Sequence, residues 1–416
     1  MKNKKIAGIV CALIFTFAFP FNAVMASGDT QKAMPGFSTG FDMNGDGVLS
    51  VAGVGADQFS IQNSISATPA SRYGVSDSTD LPYYAFAYFN DLIIRAANEA
   101  EKNIDVVIFS VMQDDIPNAL LQAKARGVRV RLIIDENHVF NKPSKQIKML
   151  TQNFQVRSLK GTQSWGCMHN KITLFDDKVL MTGSYNWTFS ATFQNYENTI
   201  ITKLPSYISG YRQYFNWMWR AARPVADGPN AAELPLGFYG APPADPAPSI
   251  DFNGLRLPAY SFSPGGMTED MLVSAIDASR RTIDAVTFTF SSTKLADAIV
   301  RAQKRGVRVR FMMDKNMATK TPLARQVINS GAEFKYSTGR KGKGAMHNKF
   351  AILDGRVLET GSFNWTSNAE VNSFENVILI NNQWTIQAYQ KKWQFLFDQA
   401  ESPDLSTLPT NWPNMN

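Results

Sequence analysis

The sequence predicts an α/β protein made of one unit used twice, each unit a mixed, largely parallel sheet flanked by helices. Three pairs of segments carry that expectation. IDVVIFS (104–110) returns as IDAVTFT (283–289), and ARGVRVRLIIDEN (125–137) returns as KRGVRVRFMMDKN (304–316), both at an offset of 179. MHNKITLFDDKVLMTGSYNWT around His169 returns as MHNKFAILDGRVLETGSFNWT around His347, and after one deletion the offset of 178 holds through Glu197 and Glu375. The aromatic segment YRQYFNWMW (211–219) also matches YQKKWQFLF (389–397). Self-similarity at a near-constant offset over this length is the mark of duplication.

Residues 1–26 read as a secretory signal. Lys2, Lys4 and Lys5 precede an apolar run from Ile6 to Phe21, and Val24-Met25-Ala26 offers small residues for cleavage after Ala26. The run is short for a membrane anchor, and Val10 before Cys11 argues against a lipoprotein signal. The expected location is secreted or periplasmic. Cleavage leaves 390 residues and lowers the net charge from +7 to +4. That mild excess suits an anionic substrate without indicating the basic stripe of a nucleic-acid binder. Cleavage also leaves Cys167 as the single cysteine, so the cleaved chain has no intramolecular disulfide. No later stretch is long and apolar enough to span a bilayer.

Residues 27–82 form an N-terminal extension with no partner in the repeat. Within it, DMNGDGVLS (42–50) places Asp42, Asn44 and Asp46 at EF-hand spacing with Gly47 at the turn, yet Gly53 stands where the bidentate glutamate belongs. A polar turn is the first reading and weak calcium binding the second. The first unit spans 83–222 and the second 258–402. In each, a helical pattern (96–100, 271–278) precedes the first apolar strand, and the next helix stops at Gly127 or Gly306, where a left-handed residue is wanted. Strands alternating with helices imply βαβ units. The last strands open at His169 and His347 and turn back through Asp177-Lys178 and Asp354-Gly355. A Pro-rich linker covers 223–257, and a tail covers 403–416.

Each unit carries the same chemical set at the same spacing: His169 with Lys171, His347 with Lys349, then Asp176 and Asp354, Ser184 and Ser362, Asn186 and Asn364, Glu197 and Glu375. On a strand, residues two apart share a face, so each histidine presents its imidazole beside a lysine, with Ser and Asn arriving from the neighbouring hairpin strand. A nitrogen nucleophile or proton carrier, fixed cations and neutral donors are what phosphate chemistry asks for. Two units facing one another supply a nucleophile and a separate acid. Asp176 and Asp354 fall at hairpin turns, where Asp is favoured for its backbone hydrogen bonds, so a structural role stands beside a catalytic one. The aromatic residues at 215–219 and 393–397 read as helix core. His138 faces Met317 in the other copy and reads as incidental, and Cys167, matched by Ala345, reads as non-catalytic.

HxKxxxxD followed by GSxN, twice in one chain, resembles the phospholipase D superfamily, and the GSxNWT form with its later Glu-Asn pair is similar to the bacterial endonuclease and mitochondrial cardiolipin-hydrolase branch. Relatives there carry one motif per chain and dimerise, so the resemblance implies two tandem, pseudo-twofold-related phospholipase D-like α/β sandwich domains and a monomer holding an internal pseudo-dimer. It further implies a two-step displacement without metal or other cofactor. One histidine attacks phosphorus, the other protonates the leaving alcohol and then activates water. His169, Lys171, Asp176, His347, Lys349 and Asp354 are then the catalytic set. Lys171, Lys349, Asn186 and Asn364 bind phosphoryl oxygens with Ser184 and Ser362 beside them, and Glu197 and Glu375 orient the imidazoles. Analogy makes His169 the nucleophile and His347 the acid, although the residues themselves leave the order open. The expected substrate is phospholipid at a membrane surface. Nucleic acid is the alternative, supported by GRKGKG (339–344) just before His347. A phosphatidyl transferase or a non-catalytic binding module ranks lower.

Overall fold

The computed structural model describes residues 83–412, apart from 142, 164 and 244–247, together with a short antiparallel pairing of Met43–Asn44 with Val48–Leu49. The expected signal segment (1–26), and Asp42, Asp46, Gly47 and Gly53 of the calcium-like loop, lie outside the described residues.

The first unit runs β1 (Tyr83–Ala85), α1 (Phe89–Glu99), β2 (Asn103–Ile108), α2 (Asp115–Ala125), β3 (Arg129–Asp135), α3 (Glu136–Phe140), α4 (Lys145–Asn153), β4 (Gln155–Leu159), β5 (Lys171–Phe175), β6 (Val179–Gly183), α5 (Phe189–Phe193), β7 (Thr199–Thr202), α6 (Pro205–Ala221) and β8 (Arg223–Pro224). Its sheet has the order β8-β4-β3-β2-β5-β6-β7-β1. The second unit follows with a hairpin, β9 (Ser249–Phe252) and β10 (Leu255–Pro258), and then β11 (Tyr260–Ser263), α7 (Thr268–Ala278), β12 (Thr282–Thr287), α8 (Thr293–Lys304), β13 (Arg308–Asp314), α9 (Lys315–Ala318), α10 (Leu323–Asn329), β14 (Glu333–Ser337), β15 (Phe350–Leu353), β16 (Val357–Gly361), α11 (Ser367–Val371), β17 (Glu375–Ile380) and α12 (Gln383–Gln399). Its seven-stranded sheet has the order β11-β17-β16-β15-β12-β13-β14. The α/β class and the tandem arrangement are as the sequence predicts.

The balance of the sheets differs from the expectation of a largely parallel one. Only β2-β3-β4 and β12-β13-β14 run parallel; the other neighbours in both sheets are antiparallel. The cause is the turn after β5 and β15. Lys178 N–H donates to the Phe175 carbonyl and Arg356 N–H to that of Leu353, closing two-residue turns on Asp176-Asp177 and Asp354-Gly355, all at positive φ. Such a turn joins only antiparallel strands, and it sits one residue earlier in the first unit than Asp177-Lys178. Helices α2 and α8 do end at Gly127 and Gly306, with φ of 91° and 83°.

The repeated strands β2 and β12 are pinned by ion pairs to buried aspartates. Asp105 on β2 accepts from Arg131 Nε at 2.7 Å and Nη2 at 2.9 Å, and Asp284 on β12 accepts from Arg310 through the same two nitrogens at 2.7 Å each. This fork geometry satisfies both carboxylate oxygens and explains the repeated Val-Arg-Val-Arg strands. Of the aromatics expected as helix core, Phe215 on α6 and Trp393 and Phe397 on α12 are buried, while Trp217, Trp219 and Phe395 are half-buried against that core; Tyr211, Tyr214 and Tyr389 are buried beside them. Tyr214 stacks on Phe262 of the second unit at 4.0 Å, which makes the seam between the units continuous hydrophobic core. The end of the Pro-rich segment is also core: Ile250, Phe252 and Leu257 of the β9-β10 hairpin are buried.

Candidate active site

Two short backbone bridges across the seam build the site. His169 N–H donates to the Phe374 carbonyl at 2.9 Å while Phe374 N–H donates to the Cys167 carbonyl at 2.8 Å. In the other half, His347 N–H donates to Tyr196 at 3.0 Å and Tyr196 N–H to Ala345 at 3.0 Å. Each histidine is thereby set beside the residue that precedes the other unit's glutamate. His169 Nδ1 lies 2.9 and 3.0 Å from the two oxygens of Glu375, and His347 Nδ1 lies 2.8 Å from Glu197. The orienting pairs are crossed between units, which the sequence spacing gave no means of telling. With Nδ1 held by carboxylate, Nε2 of each ring is the nitrogen left for chemistry.

The lysines close the same site. Lys171 Nζ donates to the His169 carbonyl, and Lys349 Nζ to that of His347 at 2.7 Å. Each ammonium also lies over a phenyl ring, Lys171 over Phe109 at 5.1 Å and Lys349 over Phe288 at 5.3 Å. The same rings meet the imidazoles edge-on, both at 4.9 Å. Phe109 and Phe288 therefore contact both members of each His-Lys pair. They end the repeated IDVVIF and IDAVTF segments, and that repetition was the signal that could have found them.

Burial and mutual repulsion set the electrostatics. Desolvation, then the charges of Lys171, Lys349 and His347, hold the His169 imidazole well below its ordinary value. Desolvation likewise pushes His347 down to about 4, against the pull of Glu197. The ammonium of Lys171 is pushed down to about 7 and that of Lys349 to about 8, both chiefly by burial. Desolvation raises Glu375 to about 8. Burial lowers the proton affinity of all four nitrogen bases, and neighbouring cations lower that of His169, Lys171 and His347 further; an anion placed among them opposes both effects. The arrangement gathers two imidazoles, two lysines and two carboxyls in buried surroundings.

Several expected residues take other roles. Asp176 accepts backbone N–H bonds from Glu101, Lys102 and Asn103 at 2.9, 2.7 and 2.9 Å. Asp354 accepts from Arg280, Arg281 and Thr282, and from the Asn253 amide at 2.6 Å. Both sit in hairpin turns at the far end of the strands from the histidines, where they fasten the start of β2 and β12. Ser184 and Ser362 are wholly buried. The Ser184 hydroxyl donates to Glu197 at 2.5 Å, and Ser362 is a hydrogen-bond partner of Glu375. They hold the glutamates instead of facing an oxyanion. Ser184 and Asn186, with Ser362 and Asn364, lie just beyond β6 and β16 instead of on them, in turns where Trp187 and Trp365 bridge back to Val111 and Phe290. The Oδ1 atoms of Asn186 and Asn364 are buried without a hydrogen-bond partner.

Asp135 and Asp314 were not singled out from the sequence. Each caps the short helix after its strand and accepts from the residue before the histidine, Met168 N–H or Met346 N–H, at 3.0 Å. Burial raises them to about 7 and about 6. Cys167 is not a free thiol in the uncleaved chain, whereas the lone sulfhydryl was expected of the cleaved one. Among the described residues no cluster of three or more His, Cys, Asp or Glu is arranged to hold a metal, and no helix is long and apolar enough to cross a membrane.

Comparison with known proteins agrees with this architecture. The family described as "Cardiolipin synthase, PLD-like domain" matches residues 93–219 and again 272–396. Mitochondrial cardiolipin hydrolase of Xenopus laevis is 32% identical over 140 residues, 33% of this chain and 65% of that protein, and a phospholipase D of Rickettsia conorii is 27% identical over 38% of this chain and 88% of its own length. The chain spans between half and two thirds of the length of the cardiolipin hydrolases it matches. In three dimensions, phosphatidylserine synthase of Haemophilus influenzae shares the fold over 76% of this chain and 86% of that one, with a TM-score of 0.59 at 14% identity. Matched twice over and folded as a facing pair of such units, the chain belongs to the phospholipase D superfamily.

Proposed function

We propose that the protein is a phospholipase D: a phosphodiesterase that releases the head-group alcohol and phosphatidate at one site shared by both units. The observation that carries this reading is the crossed pair of His-Glu contacts, His169 with Glu375 and His347 with Glu197, around two buried lysines. Nε2 of one imidazole, His169 by analogy, attacks phosphorus. The phosphorus–oxygen bond to the head group breaks, and the second imidazole, His347, donates its proton to the departing oxygen. It then takes a proton from water as that water attacks phosphorus and breaks the phosphorus–nitrogen bond, returning both rings to their starting states. Lys171 and Lys349, with the amide groups of Asn186 and Asn364, hold the phosphoryl oxygens. The anion restores the proton affinity that burial removes from the acid.

The names of the relatives support the lipid reading. A second reading, an endonuclease working without metal, draws on Arg340, Lys341 and Lys343 just before His347. The test presents purified protein, with chelator, to phosphatidylcholine, cardiolipin and single-stranded DNA in parallel. Release of choline or of phosphatidate is expected, in chelator as without it. Cleavage of DNA alone overturns the lipid reading, and turnover that stops in chelator overturns the metal-free step. Secretion, proposed from the N-terminal residues, is tested by sequencing the N-terminus of the exported protein, expected at Ser27.

A further inference from the structure

The six residues that lead into each histidine form loops of the same frame, closed by bridges between Lys160 and Cys167 in one unit and Thr338 and Ala345 in the other. The second loop, Gly339–Gly344, is tightly seated. A Cβ at Gly339 would stand 2.0 Å from the Lys343 carbonyl oxygen and 2.2 Å from that of Gln194, and one at Gly344 would stand 2.6 Å from Asn195 Oδ1. Arg340 N–H donates to Gln194 at 2.6 Å and Ala345 N–H to Asn195 at 3.0 Å. The loop is thus clamped to the segment that follows α5, and it turns Lys341 and Lys343 to solvent.

Helix α5 carries two phenyl rings on the same rim. Phe189 and Phe193 are each 57% exposed and lie 4.9 Å apart, one turn of helix from each other. Their counterparts in the second unit are Ser367 and Val371. Met112, 54% exposed, is tied to the same corner: its N–H donates to Trp187, while the neighbouring Gln113 accepts from Thr192 of α5. Three large apolar side chains are thus exposed on the corner to which the loop carrying Lys341 and Lys343 is clamped, next to the segment that leads into His347.

We propose that this rim, Met112, Phe189 and Phe193 with Lys341 and Lys343, is a docking surface for an anionic phospholipid bilayer. The lysines meet the negative head-group layer and the apolar side chains enter the boundary below it. A single-stranded nucleic acid would use the lysines and stack on phenyl rings, but it has no use for the methionine, and the two rings are packed against each other at 49° instead of opening a slot for a base. The inference rests on the phospholipid reading of the site and says how that substrate is approached.

The test measures vesicle co-sedimentation and turnover separately, on the full chain and on the variants Phe189→Ala/Phe193→Ala and Lys341→Gln/Lys343→Gln. Phosphatidylcholine vesicles with and without phosphatidylglycerol serve as probes, together with a single-stranded oligonucleotide and a soluble aryl phosphodiester. Wild-type protein is expected to prefer the phosphatidylglycerol vesicles. Loss of the lysines weakens that binding about fivefold each and removes its salt dependence, and loss of the phenyl rings weakens it about tenfold. Turnover of the soluble diester stays unchanged in both variants, which shows that they fold. Equal vesicle binding by wild type and variants, absence of binding by the wild type, or a loss confined to the oligonucleotide each overturns the docking surface. Lipid turnover by the wild type judges the substrate reading independently of these binding results.

Discussion

Between Lys160 and Cys167 the first unit runs GTQSWG, and between Thr338 and Ala345 the second runs GRKGKG. Both loops press a glycine backbone against the opposite unit: Gly161 and Gly166 pack on Asn372, as Gly339 and Gly344 pack on Gln194 and Asn195. Their outer faces differ. The first loop carries no charge and is covered by the linker, where Leu234 N–H donates to Thr162, the Gln163 amide donates to Leu234 at 2.7 Å, and Lys160 reaches Ala231 at 2.7 Å. The second is open and basic. Duplication has kept the inner half of each loop, which sets a histidine against its glutamate, and let the outer half diverge. A repeated inner frame with divergent outer faces is what duplication within one chain permits.

The comparison breaks most severely if one half works alone. Replacing either His169 or His347 by Ala is expected to lower kcat by about 10⁴-fold or more, because nucleophile and acid act as a unit; single-turnover assays that find one variant near wild type would sink the shared site. The crossed contacts make the next prediction. Glu375→Gln is expected to cost about 10²-fold in kcat with its effect expressed through His169, and Glu197→Gln a similar amount through His347. Double mutants pairing each glutamate with its contacting histidine then lose little beyond the histidine variant. A full extra loss in Glu375→Gln/His169→Ala would show that the pairs are not the ones described.

Asp176→Ala and Asp354→Ala test the turn aspartates. Each leaves three backbone N–H groups without their acceptor, so a loss of about 2–4 kcal/mol is expected in denaturant titrations, with kcat on a soluble diester almost unchanged. A collapse of kcat in a folded variant would restore these residues to the catalytic set.

The smallest effect comes from a difference inside the two cores. Glu359 on β16 is buried where the first unit has Met181, and desolvation raises its carboxyl to about 8. A carboxyl that keeps its proton in the folded state while the unfolded chain ionises near pH 4.5 makes the folded state bind more protons. Stability therefore falls as pH rises from about 4.5 to about 8, and the cost is absent below that window. Glu359→Met is expected to raise stability at pH 7.5 by about 1–3 kcal/mol and by nothing at pH 4. Equal gains at both values would mean that packing, not ionisation, separates the two residues.

Much of the site was legible in the chain. The histidines, lysines, serines, asparagines and glutamates announce themselves by recurring at one spacing, and the structure brings all of them to the seam. What the residues do there was less legible. Ser184 and Ser362 follow the motif as regularly as the asparagines do, yet they end on the glutamates; Asp176 and Asp354 keep the motif's spacing because a two-residue turn must fasten the neighbouring strand. Phe109, Phe288, Asp135 and Asp314 were hidden in apolar strand repeats, where a residue that supports a catalytic group looks like one that fills a core.

The sequence by itself determined the repeated α/β unit, the chemical types that meet phosphate and the fact that two equal sets exist, because strand and helix periodicities and residue spacing are local properties. Only the tertiary structure decided that each glutamate contacts the histidine of the other unit, that the sheets are more antiparallel than parallel, and that one loop is covered by the linker and the other exposed. The first of these depends on backbone bonds across the seam, His169 to Phe374 and His347 to Tyr196. Such bonds join residues 205 and 151 positions apart, and nothing in the pattern of either segment specifies its partner.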